Sequence, residues 1–241
     1  MSEDSAVPSA SSVARLIGGL VLLQMVGALM LPYILLNQVV LSSEFLEGAA
    51  RNPMYLRVPA LLFLFGAAVA LAISIAAYPV VRQSRPRLAI CLLALAVANV
   101  PLQVGESGMV LSMMSLGRRY AEAGGSDVAM LQGVAAAAYG ARRWAHYLQL
   151  FTVVTWIFVL FASLGRAGLI PRALMAAGLL ATALQIVGVP LRALLGYPVV
   201  MEMAMPLAPV YAGLGLWLLV KGFSQRAELS ADRLEEIDAR L

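Results

Sequence analysis

The sequence predicts an all-α fold: a polytopic transmembrane bundle of six helices with both termini in the cytoplasm. Three observations predict it. Of 241 residues, 61% are hydrophobic and only 12% charged, against roughly 45–50% apolar and about 25% charged in an ordinary soluble domain. The long apolar runs are apolar all round, without the polar face that a surface helix of a soluble protein keeps. The sixteen arginines and single lysine are scattered between those runs rather than gathered in a patch, which reads as membrane topology and not as nucleic-acid binding.

The elements follow in order. Residues 1–12, with Ser2, Ser5, Ser9, Ser11 and Ser12 around Pro8, are expected to form a disordered tail. The transmembrane domain is expected over 13–223. Its first helix runs from Leu16 to Leu36, past Pro32 to the polar pair Asn37 and Gln38. That run is long enough for a hydrocarbon core of about 30 Å at roughly 1.5 Å per residue, and too long for a cleaved signal peptide. Helix two spans Val58–Val80, with Pro59 in its first turn, where a missing amide proton costs little. Helix three spans Leu88–Met114 and is expected to bend at Pro101.

The segment from Leu116 to Arg143 is the longest connection. Gly124 and Gly125 break it, Ser126 and Asp127 signal a helix start, and the alanine-rich stretch that follows is expected to form a short extramembrane helix. Helix four covers Trp144–Leu164. Helix five covers Ala173–Leu195 and is interrupted at Pro190; helix six covers Met203–Val220 and is interrupted at Pro206. Residues 224–241 carry Leu234, Ile237 and Leu241 at helical spacing among charges. Glu235, Glu236 and Asp238 make that stretch a poor ligand for anionic lipid, so a solvated or partner-binding cytoplasmic helix is expected.

Orientation is read from the short loops. With the amino terminus inside, the inner side receives Arg15, Arg82, Arg85, Arg87, Arg166, Arg172, Lys221 and Arg226. The outer side receives Arg51, Arg57, Arg118, Arg119, Arg142, Arg143 and Arg192. The three arginines before helix three decide the direction.

Three segments carry a family resemblance. "GLGLWLLVKGF" from Gly213, "LIPRALMAAGLLA" from Leu169 and "ARLIGGLVLL" from Ala14 together resemble the bacterial membrane proteins of domain-of-unknown-function family 4386. The resemblance covers the chain from helix one to Phe223 and implies a six-helix bundle in the bacterial inner membrane. It also implies an arginine–glutamate pair three residues apart in helix three and a histidine at the start of helix four. Glu106 and His146 match the second and third of these, while Gln103 stands where the arginine would be. The resemblance supplies architecture and no reaction.

An ionisable residue inside a membrane helix costs about 2.5–3.5 kcal/mol on insertion scales, so each one calls for a reason. Asn99, Gln103 and Glu106 share one face of helix three, and His146 and Gln149 share one face of helix four. Gln185 and Arg192 are aligned on helix five. In the expected topology Glu106, His146, Arg192, Glu202, Asn37 and Gln38 all fall in the outer half of the membrane. This asymmetry predicts a polar pocket or partner surface there, with Glu106 facing the interior and paired to His146 or Arg192. The candidate ligand-binding residues are therefore Glu106, Gln103, Asn99, His146, Gln149, Arg192 and Glu202. The same residues also admit a purely structural reading, a network that locks helices three, four and five together.

Catalytic signatures do not appear. There is no Gly-rich phosphate loop, nucleophile elbow or paired-histidine zinc motif. Met201, Met203 and Met205 around Glu202, with Met109, Met113 and Met114 on the same side, suit soft ions in principle but read as apolar filling, so no metal is expected. Cys91 reads as a small core residue. The glycine pairs Gly18–Gly19 and Gly213–Gly215 lack the spacing of a helix-dimerisation motif. The sequence names no cofactor. The function it favours is a non-catalytic membrane protein: an accessory subunit, or a binder of a small molecule or lipid. A membrane-embedded enzyme acting on a lipid or quinone-like substrate, with Glu106 or His146 as acid or base, is the alternative. A transporter is less favoured without an inverted repeat. The partners expected are the bilayer and a hydrophobic small molecule or membrane subunit.

Overall fold

A computed structural model describes residues 10–30, 45–51, 54–123, 127–198 and 200–224. Among them are eight helices: α1 (Ala10–Met30), α2 (Phe45–Arg51), α3 (Met54–Ser84), α4 (Pro86–Glu122), α5 (Asp127–Arg166), α6 (Arg172–Leu195), α7 (Val200–Ala204) and α8 (Leu207–Val220). Six helical segments among the described residues are long and apolar enough to cross a membrane, the last running from Glu202 to Val220 across the α7–α8 turn. Large apolar side chains such as Leu61, Ile90, Leu148, Leu180 and Val220 stand exposed along them. A surface of that kind is stable against lipid tails and not against water, so the chain is a multi-pass integral membrane protein in contact with the bilayer.

The spanning helices form a closed ring. Each packs on the next in the order α1, α3, α4, α5, α6, α8, and α8 closes back on α1; α2 lies on α4, and α7 on α6. The turns α3–α4 and α5–α6 and the end of α8 share one end of the ring, here the proximal end. Arg85 Nε donates to Arg166 O (3.2 Å) and Ser224 N to Leu169 O (2.9 Å) there. The α5–α6 turn is a Schellman ending. Gly168 takes φ +75°, its amide donates to Gly165 O, and Leu169 N reaches Leu164 O.

Small residues set the helix spacing. A Cβ at Gly18 would lie 2.7 Å from Gly215 O, so the α1 and α8 backbones meet through two glycines. A Cβ at Gly178 on α6 would run into the Phe161 ring on α5. The proximal core contains Ile17, Ile73, Leu92, Trp156, Phe161, Leu214 and Leu218, all buried. A second core at the distal end joins Phe45 and Leu46 of α2 to Leu56, Phe63, Val110, Met113 and Ala135.

Several expectations change. The first helix begins at Ala10, so the last three residues of the expected tail are helical. The rest of that tail, Pro32, Asn37, Gln38, Gly124–Ser126 and 225–241 lie outside the described residues. Helix three does not stop at Met114 but runs unbroken to Glu122 through Pro101. The Pro101 ring is on the exposed face of α4, where its missing amide leaves the buried packing untouched. The alanine-rich stretch is no separate helix. It continues into helix four as one 40-residue helix, α5, because nothing after Asp127 breaks the helical pattern. At 1.5 Å per residue α4 and α5 are about 55 and 60 Å long, well beyond a hydrocarbon layer of about 30 Å. Their distal turns therefore project past it, held by α2, which the sequence reading did not foresee. Helix six is fully divided by a turn at Met205–Pro206 into α7 and α8. Cys91 is exposed on α4 rather than buried.

Candidate functional site

Between the two apolar cores lies a layer of buried polar side chains. On α4, Asn99 (0% exposed), Gln103 (5%) and Glu106 (0%) follow one another up the inward face, as their spacing of four and three residues requires. On α5, Arg142, His146 and Gln149 form the matching face, with Arg142 and Gln149 buried. Gln103 reaches toward the Gly66 position of α3, its Nε2 standing 3.9 Å from where a Cβ would be. Ser107 Oγ donates to Ala60 O across the same helix pair (3.0 Å). Gln185 is buried on α6.

The centre of the layer is Glu106. His146 Nδ1 lies 2.9 Å from Glu106 Oε1, and since a carboxylate only accepts, the ring nitrogen is the donor. Arg142 Nη1 stands 3.6 Å from the same oxygen, an ion pair rather than a well-formed hydrogen bond. The Arg142 side chain is 3% exposed and that of His146 36%, so the imidazole lies at the edge of the layer. A hydrocarbon slab of about 30 Å beginning at Pro86 on α4, or at Arg166 on α5, ends at the level of Glu106 and of His146. The charges thus sit where the membrane interior gives way to the interface, which lowers the cost of holding them.

The layer is not saturated by the protein. Both amide atoms of Asn99, Gln103 Oε1, Glu106 Oε2, Arg142 Nε and Gln185 Oε1 are buried without a hydrogen-bond partner among the described residues. Outside the layer Ser163 Oγ and Trp217 Nε1 are also buried without a partner among the described residues, whereas Trp156 Nε1 donates to Ser74 Oγ (2.9 Å) and Tyr211 OH to Gln24 Oε1 (2.6 Å).

Residues 16–222 match the model of the family described as "Domain of unknown function (DUF4386)". The chain belongs to that family. No curated protein and no solved structure matches it. In this DUF4386 member the position at which the resemblance implied an arginine holds Gln103. The guanidinium near Glu106 comes from Arg142 on α5.

Of the residues singled out from sequence, the fold brings together Asn99, Gln103, Glu106, His146 and Gln149. It separates two others. Arg192 is exposed and its Nη1 donates to Gly196 O at the end of its own helix (3.2 Å), so it is no partner of Glu106. Glu202 is exposed on α7. The methionines form no cluster of ligands: Met113 is buried in the distal core, Met203 packs toward Gly188, Met205 is exposed, and the Met201 side chain lies outside the described residues. Among the described residues no three of His, Cys, Asp and Glu gather as a metal site would require. Sequence reasoning missed Arg142, which it counted as a loop charge. The signal was present, since Arg142, His146 and Gln149 keep helical spacing, but starting the helix at Trp144 cut the pattern one turn short.

Proposed function

We propose that this protein is a non-catalytic membrane binding protein, whose ligand is a small hydrogen-bonding molecule held at the Glu106–Arg142–His146 layer. One observation carries the reading. The buried polar atoms of Asn99, Gln103, Glu106, Arg142 and Gln185 have no protein partner among the described residues. A buried unsatisfied polar group costs about 1–3 kcal/mol, and a network meant only to fasten helices would spend its donors and acceptors on each other. Six of the eight such atoms found among the described residues belong to this layer, and that concentration favours a built recognition site. The free acceptors, Glu106 Oε2 and the amide oxygens, suit a ligand that donates through hydroxyl, amide or amine groups.

The membrane is taken to be the bacterial inner membrane, with the proximal end and both termini in the cytoplasm. The short proximal turns carry Arg82, Arg85, Arg87, Arg166 and Arg172, whereas Arg142 leaves the outer tally because it is buried in an ion pair. That puts the polar layer toward the outer leaflet.

The test is native mass spectrometry of the protein extracted gently from its own membrane, comparing wild type with Asn99→Leu, Gln103→Leu and Glu106→Gln. A bound small molecule in the wild type that the variants lose supports the reading; identical unliganded spectra overturn it. A second reading, an enzyme acting on a lipid or quinone-like substrate, rests on the 2.9 Å contact that orients His146 as a base. It would show as turnover of the bound molecule that His146→Ala abolishes while the molecule stays bound.

A further inference from the structure

The α3–α4 seam offers a different kind of site on the outer surface of the ring. Ser107 Oγ draws α4 against Ala60 O of α3, and small residues at that contact leave a groove of about 320 Å³ between the larger side chains on either side. Leu61 and Leu64 of α3 form one wall, Leu111 and Met114 of α4 the other, and Arg57 also lines it. The walls face the surroundings, Leu61 being 65% and Leu111 40% exposed.

Arg57 is exposed, and no carboxylate pairs with it among the described residues. Its depth follows from the helix it stands on. Arg57 and Arg82 are about 38 Å apart along α3 at 1.5 Å per residue, slightly more than the hydrocarbon thickness and within the roughly 40–45 Å that includes the headgroups. When Arg82 sits among headgroups at the proximal face, Arg57 sits among them at the distal face, and Leu61 and Leu64 lead from it to the hydrocarbon. We propose that this groove is a binding site for an anionic phospholipid, the phosphate at Arg57 beside the Leu111–Met114 wall of α4 and one acyl chain passing Leu61 and Leu64 into the bilayer. An apolar slot lined by a cation that has no carboxylate partner among the described residues, at headgroup depth, matches a molecule that is anionic at one end and hydrocarbon below. A free phosphate ion would use the cation and leave the slot.

The experiment titrates the detergent-solubilised full chain with phosphatidylglycerol or phosphatidylcholine of identical acyl chains and counts adducts by native mass spectrometry. In the wild type one phosphatidylglycerol binds more tightly than any phosphatidylcholine. Arg57→Ala weakens that adduct about fivefold, the equivalent of the roughly 1 kcal/mol of one surface cation, and removes the headgroup preference. Leu64→Trp or Leu61→Trp, which fill the slot, weaken the first adduct of either lipid. Glycerol phosphate does not compete. All three side chains are exposed or half-buried, so melting temperatures should stay within about 2 °C of wild type by the small effect of surface substitutions. Unchanged phosphatidylglycerol preference in Arg57→Ala, full retention in both tryptophan variants, or competition by glycerol phosphate overturns the proposal.

Discussion

Glu106 and Arg142, replaced singly and together by glutamine, test whether the polar layer is an energetically coupled unit. In the wild type the two side chains are 0% and 3% exposed, with Arg142 Nη1 3.6 Å from Glu106 Oε1. Glu106→Gln leaves a buried guanidinium without its counter-ion, and removing one member of a buried pair costs about 3–5 kcal/mol. With about 2–4 °C of melting temperature per kcal/mol in a chain of this size, the loss is about 6–20 °C. Arg142→Gln costs less, toward the lower end of that range, because His146 at 2.9 Å still faces the carboxylate. The double variant leaves two neutral amides able to bond to each other. It should melt no lower than Glu106→Gln alone, so that the loss from Arg142→Gln vanishes in the Glu106→Gln background, a coupling of about 3 kcal/mol in the thermodynamic cycle. The assay is thermal unfolding in one detergent, followed by tryptophan fluorescence. Single effects that simply add in the double variant, to within about 0.5 kcal/mol, would refute the reasoning, since the two charges would then be screened from each other by water in the ring.

Four further outcomes are expected. Gly18→Val places a branched side chain where even a Cβ meets Gly215 O at 2.7 Å, so it should destabilise by about 1–3 kcal/mol or more, read as a lowered melting temperature, while Gly19→Val, with open space at its Cβ, should not. Gly168→Ala forces a non-glycine residue to φ +75° at the end of α5 and should cost about 1 kcal/mol in the same assay. Ser74→Ala leaves the buried Trp156 Nε1 without its acceptor; a loss of about 1–3 kcal/mol is expected, and Trp156→Phe in the Ser74→Ala background should return part of it. Asn99→Leu and Gln103→Leu remove buried unpaired polar atoms, so the ligand-free protein should melt at a higher temperature while binding is lost; a fall in stability would mean that those side chains hold the helices rather than a ligand.

How far the site could be read from the chain varies from residue to residue. The inward face of α4 was legible because Asn99, Gln103 and Glu106 recur at helical spacing within an apolar run, and polar groups in a membrane helix are driven away from lipid. The Glu106–His146 pairing was legible for the same reason, since each is an ionisable residue at about the same height on consecutive helices. Arg192 satisfied both criteria and still went elsewhere. It lies in the last turn of α6, where the nearby carbonyl of Gly196 offers a closer acceptor and the exposed helix end lets the guanidinium stay solvated. Arg142 was hidden by its surroundings in sequence, alanines, a glycine and a neighbouring arginine, which resemble a loop until α5 is seen to run through them.

The sequence by itself determined the solvent, the number of spanning segments and the polar stripe on each helix. Apolar length and helical period are local properties, and a bilayer admits few ways to satisfy the backbone over such lengths. The tertiary structure alone decided which stripes face each other, because that depends on helix order and spacing. The ring is closed by backbone contact between Gly18 and Gly215, nearly two hundred residues apart. On the distal side α2, a helix of seven residues with too little length to show a period, packs on α4. Glu106 gains Arg142 only because α4 and α5 continue together beyond the hydrocarbon layer, where a charged side chain can be kept in the interior at a cost its partner offsets.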